Sequence, residues 1–212
     1  MNELYMFTDF ENLKLKDLKS HISCMPPERI EKFKKLSMPQ DKLNCVVAYF
    51  LLFFALKKCC LSAPRLPISF LYGKNQKPRI KALPNLHFNI SHTHKAVICA
   101  ISSSEIGVDI EKIRPINLKI SNRICTKSEQ KLIENSCNKE KMLLEIWTKK
   151  ESYAKMRGSS VFGNFLQIDT SSLPRTFCFE RDGFIISLSF AGAEVDFLEP
   201  TRVLAREILD LL

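Results

Sequence analysis

The sequence predicts an α+β fold with two similar halves, each built from a small antiparallel sheet and packed helices. Two observations favour this fold class. Each half of the 212-residue chain contains a helical pattern followed by strand-like runs. The runs in the second half are short and separated by turn residues, which is typical of antiparallel strands. We expect one half at 1–104 and the other at 105–212.

Composition and charge indicate a globular protein with an anionic partner. Hydrophobic residues make up 45% and charged residues 26% of the chain, which is an ordinary balance. The net charge of +9 favours a phosphorylated ligand, an acidic protein, a nucleic acid or an anionic membrane. The eight cysteines are scattered and the first residues do not resemble a signal peptide, so we expect reduced thiols and a cytoplasmic location.

The first half is predicted to contain a strand at 4–10, two helices and a buried strand. Pro27 followed by an acidic residue is typical of a helix start, and Asp41 is expected to cap the next helix. Residues 46–56 are almost wholly apolar, but a bilayer-spanning helix needs about 20 residues, so they predict a buried core helix. The apolar run 96–101 predicts a buried strand.

A strand at 106–111 carries the first candidate functional residues. Apolar residues at every second position alternate with Gly107, Asp109 and Glu111. Asp109 and Glu111 therefore share a face, about 7 Å apart. Two neighbouring carboxylates repel each other, and a divalent cation between them would relieve that repulsion. A short turn separates this strand from 96–101, so we expect the two to form a hairpin.

A helix at 139–157 carries the second set, since this stretch contains neither Gly nor Pro. Glu151 interrupts its apolar stripe, where a lone carboxylate is costly. If the stripe packs on the strand, Glu151 completes a site of three carboxylates. Oxygen ligands of this kind suit Mg²⁺ together with substrate phosphates. Lys150 and Lys155 beside the site would meet those phosphates.

In the rest of the second half, a helix-capping pattern and the alternation of apolar with polar residues predict the remaining helices and strands. Thr126 and Glu129 form a capping-box pattern at a helix start. The tail 201–212 resembles a short amphipathic helix. Alternating runs predict three antiparallel strands, at 176–180, 185–190 and 195–198.

Four segments in order carry a resemblance to a known family. They are Gln76-Lys77-Pro78, Phe88-Asn89-Ile90-Ser91-His92, Ile106-Gly107-Val108-Asp109-Ile110-Glu111 and Trp147-Thr148-Lys149-Lys150-Glu151-Ser152-Tyr153-Ala154-Lys155. With the basic segment Pro27-Glu28-Arg29-Ile30-Glu31-Lys32 they span most of the chain. In order and separation, the set resembles the 4'-phosphopantetheinyl transferases of the surfactin-synthetase-activating type.

The resemblance implies a reaction and a set of site residues. The phosphopantetheine arm of coenzyme A would pass to a serine of an apo carrier protein, releasing adenosine 3',5'-bisphosphate. Asp109, Glu111 and Glu151 would hold Mg²⁺, and Lys155 and Lys150 would neutralise phosphate charge. The implied coenzyme A contacts are Arg29, Lys32, Lys77, Pro78, Ser91 and His92.

The resemblance also leaves the catalytic base open between two residues, and it implies which segment contacts the carrier protein. Either Glu151 or Glu129 is the candidate base for the carrier serine, with Lys155 as a further catalytic residue. The segment 112–127 would face the carrier. The first half would contact the nucleotide and phosphates of coenzyme A, the second would hold Mg²⁺, and the active site would lie at their interface.

Three positions depart from the family pattern. Gln76 stands where Gly usually precedes the Lys-Pro pair, which makes the loop less flexible. Asn44-Cys45 stands where Arg or a hydroxyl residue is expected, which removes one candidate phosphate contact. Gly158-Ser159-Ser160 replaces a more Gly-rich turn. None of the three touches the predicted carboxylate site.

Other function classes remain open from the sequence. A nucleic-acid-binding module would fit the charge, although no helix-turn-helix, zinc or aromatic RNA-binding signature is present. A different Mg²⁺-dependent phosphodiesterase and a relative that binds coenzyme A without turnover are also compatible. For the transferase we expect a monomer with an acidic acyl or peptidyl carrier protein as partner, and neither nucleic acid nor membrane. The carrier could come from a fatty-acid, polyketide or peptide synthetase.

Overall fold

The computed structural model describes residues 1–60, 65–73, 77–159, 165–192 and 198–212. Within these ranges the chain is a mixed α+β protein with small sheets, as predicted. The helices are α1 (Pro27–Lys35), α2 (Pro39–Cys59), α3 (Ser121–Ile124), α4 (Lys127–Asn135), α5 (Lys139–Arg157) and α6 (Ala205–Leu209). The strands are β1 (Asn2–Phe7), β2 (Phe70–Tyr72), β3 (Pro78–Ile80), β4 (His87–Thr93), β5 (Ala96–Ser102), β6 (Ile106–Lys112), β7 (Thr176–Arg181), β8 (Phe184–Phe190) and β9 (Thr201–Val203).

The chain divides into two compact units that differ from the expected halves at the C-terminus. One unit contains Met1–Ser103 with Leu198–Leu212, and the other contains Ser104–Phe197. The tail, expected in the second half, belongs to the first unit because β9 pairs in parallel with β1. The tail is therefore a strand followed by the short helix α6, and not a helix throughout. The similarity of the two halves and an active site between them stay predictions.

The first unit is built on a four-stranded sheet of order β4-β5-β1-β9. β5 pairs antiparallel with both β4 and β1, and all of its residues are buried. Helix α2 packs against β5, and its residues 43–56 are all buried, which confirms the predicted core helix. Because β9 is parallel to β1, this sheet is mixed where a purely antiparallel one was expected.

Helix α2 begins differently from the prediction. Met38 is the N-cap residue without a side-chain cap hydrogen bond, and Pro39 occupies the first turn. Asp41 is therefore not the cap but lies inside the first turn, where a negative charge still favours the helix dipole. In the part of the chain that the structure describes, none of the helices has the length and hydropathy needed to cross a membrane.

The second unit contains a three-stranded antiparallel sheet of order β6-β8-β7. β6 pairs with β8 along its whole length, with Asp109 opposite Ser187. The predicted hairpin of β5 with β6 is wrong, because β5 is flanked by β4 and β1 in one sheet and β6 pairs with β8 in another. The predicted strand at 195–198 lies almost entirely outside the described residues.

Helix α5 packs very closely on this sheet because the facing residues are small or carry hydroxyl groups. A Cβ atom on Gly107 would overlap the Ser152 carbonyl oxygen and the Met156 backbone nitrogen. Buried hydroxyl pairs then join helix to strand. Thr148 Oγ1 lies 2.8 Å from Ser187 Oγ, and Ser152 Oγ lies 2.9 Å from Ser189 Oγ. This contact fixes the height and rotation of α5 above β6.

Candidate active site

An ion pair between β6 and α5 forms the centre of the candidate site. Lys155 Nζ lies 2.6 Å from Asp109 Oδ1, and the two side chains are 28% and 7% exposed. β6 presents Asp109 on the same face as Gly107, towards α5, and Lys155 reaches it from the last turn of that helix. Two of the residues selected from separate motifs are thus brought into direct contact.

Glu151 belongs to the same cluster, one helical turn before Lys155. Burial raises the pKa of Glu151 to about 7, with further increases from the charges of Asp109 and Glu111 and an opposing decrease from Lys155. These electrostatic effects require the three carboxylates to be close neighbours. The strand and helix thus place Asp109, Glu111 and Lys155 near Glu151, and these four residues form the acidic cluster.

The donor chemistry of this cluster suits a hard divalent cation. Asp109 and Glu111 raise the pKa of Glu151, so the three carboxylates offer oxygen ligands whose repulsion a metal ion would relieve. In the side-chain positions seen within the described residues, however, no three Asp, Glu, His or Cys side chains converge enough to hold a metal. Lys155 neutralises Asp109 in this arrangement. Mg²⁺ binding by Asp109, Glu111 and Glu151 therefore stays a prediction.

Lys150 and Glu129 do not belong to this cluster, which corrects their expected roles. Lys150 Nζ lies 2.6 Å from Glu129 Oε2, and the side chains are 0% and 1% exposed. A lysine enclosed in this way cannot reach a phosphate of coenzyme A. Glu129 also accepts a hydrogen bond from Thr126 N, which confirms the predicted capping box, but it cannot reach a serine of another protein. Of the two candidate bases, Glu151 remains.

A cleft of about 320 Å³ opens beside the acidic cluster. Its floor is apolar, and Glu111 and Arg114 are among its polar residues. The segment 112–127, expected to face a carrier, supplies one wall and contains a short 3₁₀ helix, Leu118–Ile120, followed by α3. The lining residues are Glu111, Arg114, Ile116, Asn117, Ile120, Leu143, Leu144 and Trp147.

In the first unit, the expected coenzyme A residues of α1 lie near the start of α2. The guanidinium of Arg29 lies over the Phe70 ring, 5.7 Å from its centroid. Burial raises the pKa of the Cys45 thiol, and the charges of Arg29 and Lys32 partly offset that increase. Both cations therefore lie close enough to Cys45 to affect it. Cys45 is buried, so this departure from the family pattern removes a polar group next to two cations.

The other expected contacts of the first unit lie on strands. Ser91 and His92 are in β4, where Ser91 is buried and His92 is exposed. Asn44 Nδ2 donates to the carbonyl of Thr93 at 3.2 Å, so the start of α2 is tied to the end of that strand.

Lys77 and Pro78 are both partly buried at the edge of the small β2–β3 sheet, where Pro78 lies opposite Tyr72. Pro78 is the first residue of β3 and Lys77 directly precedes it, so both lie at the end of this small sheet. Gln76, which departs from the family pattern, lies outside the described residues.

Two features that the site depends on were not predicted from the sequence. The first is the close approach at Gly107, which the pattern of Gly, Ser and Thr at facing positions could have indicated. The second is the structural role of Lys150. This lysine follows the buried residues Leu143 and Ile146 at seven- and four-residue spacing, and so shares their face of the helix and not that of Glu151.

Comparison with known proteins identifies the family. Residues 105–196, which contain the acidic cluster, match the family model described as the 4'-phosphopantetheinyl transferase superfamily. The 4'-phosphopantetheinyl transferase Sfp of Bacillus subtilis strain 168 is 32% identical over 154 residues, covering 72% of this chain and 67% of that protein. A second B. subtilis 4'-phosphopantetheinyl transferase is 30% identical over 154 residues, which again cover 72% of this chain and 67% of that protein. The 4'-phosphopantetheinyl transferase ffp of B. subtilis is 41% identical over 108 residues, 50% of this chain and 47% of that protein.

The chain therefore belongs to the 4'-phosphopantetheinyl transferase superfamily. This confirms the family resemblance found in the sequence motifs. As a member, it is an enzyme of the transferase class.

Proposed function

We propose that the protein transfers the 4'-phosphopantetheine arm of coenzyme A to a serine of an apo carrier protein. The reaction depends on Mg²⁺ and releases adenosine 3',5'-bisphosphate. The observation that carries the proposal is the ion pair of Asp109 with Lys155, beside Glu151 and Glu111, in the part of the chain that matches the family model. A diphosphate ester needs positive charge close to its phosphates, which here would come from Lys155 and from a Mg²⁺ ion held by the carboxylates.

Each residue of the cluster has a defined task in this proposal. Asp109, Glu111 and Glu151 would hold Mg²⁺, which when bound would stabilise the charge on the diphosphate. Lys155 supplies a further cation at the same place, since its ammonium group is partly exposed and lies at the acidic cluster. It would lower the barrier by stabilising the negative charge that develops on the leaving phosphate.

The base that accepts the serine proton is assigned to Glu151. It is partly exposed and lies in the cluster, whereas Glu129 is sealed in the interior by its contacts with Lys150 and Thr126. A group must reach within hydrogen-bond distance of the proton that it takes, which only Glu151 of the two can do.

The first unit would bind the nucleotide end of coenzyme A. Arg29 and Lys32 lie close to Cys45 at the start of α2, which gives that region two cations for phosphate groups. The proposed contacts there are Arg29, Lys32, Lys77, Pro78, Ser91 and His92.

The carrier is proposed to be an acidic domain that meets the segment 112–127. The net charge of +9 would steer an acidic partner to the enzyme. The cleft beside Glu111 has an apolar floor, which suits the arm or an apolar side chain of the carrier. We propose a cytoplasmic monomer, in line with the eight free cysteines.

Mass spectrometry of carrier proteins tests this function directly. The protein is incubated with coenzyme A, Mg²⁺ and a panel of apo-carriers from fatty-acid, polyketide and peptide synthetases. We expect one carrier to gain the mass of a single phosphopantetheine arm, and its serine-to-alanine variant to gain none. Release of pantetheine phosphate into water without any carrier would instead favour a phosphodiesterase.

A further inference from the structure

The buried ion pair of Lys150 with Glu129 is the centre of a larger network in the second unit. Besides Glu129, the ammonium of Lys150 donates to the carbonyl oxygen of Ile124 at 2.6 Å and to that of Phe165 at 2.8 Å. An ammonium group has three protons, so these partners use its full capacity. Lys150 therefore binds the end of α3 and the start of Phe165–Gln167 to the middle of α5.

Glu129 extends the network to two further backbone positions. Its Oε2 accepts from Thr126 N at 2.7 Å and its Oε1 accepts from Thr170 N at 2.9 Å. Asp169 adds a parallel connection, since its carboxylate accepts from Ser128 Oγ at 2.6 Å. Hydrogen bonds from Ser128 and Ser171 hold the pKa of Asp169 well below its usual range. The turn around 124–129 is thus held to α5 and to 169–170 by charged groups.

The energetics of a buried ion pair indicate that this one fixes backbone positions more than it adds to the free energy of unfolding. Removing two opposite charges from water costs about as much as their attraction returns, and apolar residues of similar size often fill such a site at least as well. Unlike apolar side chains, the ion pair acts through directed hydrogen bonds. It fixes the backbone of Ile124 and Thr126 at a set distance from α5.

The backbone held in this way is the far end of the segment that lines the cleft beside Glu111. That segment leaves β6 after Lys112 and supplies Arg114, Ile116, Asn117 and Ile120 to the cleft. One end is fixed by the pairing of β6 with β8, and the other by Lys150 and Glu129. Movement at the second anchor would change the shape of the cleft wall.

We propose that Lys150 and Glu129 are positioning residues for recognition of the carrier protein. They hold the segment 112–127 in the shape that the carrier contacts, and they touch neither coenzyme A nor the reacting atoms. This inference rests on the proposed function. It assigns to Lys150 a part in specificity, in place of the phosphate contact expected from its motif.

The test compares a double variant, Lys150→Met with Glu129→Leu, with the wild-type protein. The double variant removes both charges together, so that neither is left buried alone. Lys139→Met is the matched control, since it makes the same lysine change at the exposed start of α5. The measurements are kcat and KM for the apo-carrier, the Kd of coenzyme A, and hydrogen exchange of backbone amides in 112–127.

We expect the double variant to raise KM for the carrier about tenfold while kcat stays within about twofold, because binding and not chemistry is affected. Amides in 112–127 should exchange faster, and the Kd of coenzyme A should not change. Lys139→Met should behave as wild type in all four measurements. Should the double variant fail to fold, Glu129→Gln is measured in its place under conditions where it is folded, with the same expected split between KM and kcat.

Two results would overturn the inference. One is a folded variant with wild-type KM for the carrier, and the other is a loss in kcat or in coenzyme A affinity with KM unchanged. A wild-type protein that modifies no carrier would be a failure of the proposed function, which is a different outcome.

Discussion

Two lysines of helix α5 form ion pairs of the same length in very different surroundings. Lys150 with Glu129 and Lys155 with Asp109 both have an Nζ–O distance of 2.6 Å. The first pair is sealed in the interior, whereas Lys155 is 28% exposed. All three protons of the Lys150 ammonium are donated to buried protein groups, namely the Glu129 carboxylate and two backbone carbonyls. Lys155 instead lies among carboxylates that raise the pKa of Glu151.

The difference between these pairs separates structural charge from functional charge. Both lysines belong to one nine-residue motif, so the motif alone assigns them the same role. The 3.6-residue repeat of the helix puts Lys150 on the same face as Leu143 and Ile146, and it puts Lys155 on the same face as Glu151. Exposure then decides which charge can meet a substrate. Substitutions at the two pairs should therefore affect different measurements.

The largest effect should come from Asp109→Ala. We expect transfer to fall by at least about 1000-fold, because the change removes a proposed metal ligand and the partner of Lys155. The melting temperature should change little. Single-turnover transfer to a responsive carrier measures the effect, with the exposed Glu134→Ala as control. Retained turnover in Mg²⁺ would contradict the assignment of Asp109.

Glu129→Gln should act mainly on stability. It leaves the ammonium of Lys150 buried without its anionic partner, which typically costs about 3 kcal/mol or more in the free energy of unfolding. Urea denaturation measures this loss. Protein that remains folded should keep a kcat close to wild type. A kcat loss as large as that of Asp109→Ala would return Glu129 to the list of candidate bases.

Lys155→Met should show the opposite pattern. We expect transfer to slow by about 100-fold, because a cation near the developing charge is lost. Stability should fall less than in Glu129→Gln, since Lys155 is 28% exposed and water can enter beside Asp109 when it is replaced. Rate and urea unfolding are measured on the same preparation. A large stability loss with a normal rate would mean that Lys155 is structural as well.

Gly107→Ala tests the close contact that holds the cluster together. The added methyl group would overlap the backbone of α5 at Ser152 and Met156, so we expect a loss of about 1–3 kcal/mol and a slower transfer. Gly73→Ala is the control, because an added Cβ there meets nothing within 4 Å. If thermal unfolding and rate are both unchanged at Gly107, then α5 is not held by this contact.

The smallest effect should be a pH dependence that comes from Glu151. Its pKa is raised from 4.5 to about 7, so the folded state holds the proton more tightly than the unfolded state. Stability should therefore fall as pH rises from about 5 to about 7, and level off above that. Thermal melts in a metal chelator measure this trend, which should be weaker in Glu151→Gln. An equal slope in both proteins would assign the dependence to other groups.

Much of the local structure could be predicted from the sequence, because period and capping are local properties. The absence of Gly and Pro gave the bounds of α5, and the capping box placed the start of α4. Strand pairing is not local, and this is why the hairpin of β5 with β6 was wrong and the parallel pairing of β9 with β1 was unforeseen.

The candidate site could be predicted where motif spacing coincided with a shared face. Lys155 contacts Asp109, and both of them and Glu111 lie near enough to Glu151 to affect its pKa, while their proposed roles stay predictions. Lys150 could not be assigned from the motif, because its partner Glu129 lies in another helix and serves as a capping residue there. Burial of a charge depends on the tertiary contacts of several segments.

Metal binding tests the central claim most directly, because it does not depend on finding the right carrier. Mn²⁺, which prefers oxygen ligands as Mg²⁺ does, is titrated in the presence of coenzyme A and followed by electron paramagnetic resonance. The wild-type protein should bind one ion, and Asp109→Asn should bind at least about tenfold more weakly. Glu134→Gln should bind as wild type does. Equal affinity in wild type and Asp109→Asn would contradict a metal site at the acidic cluster.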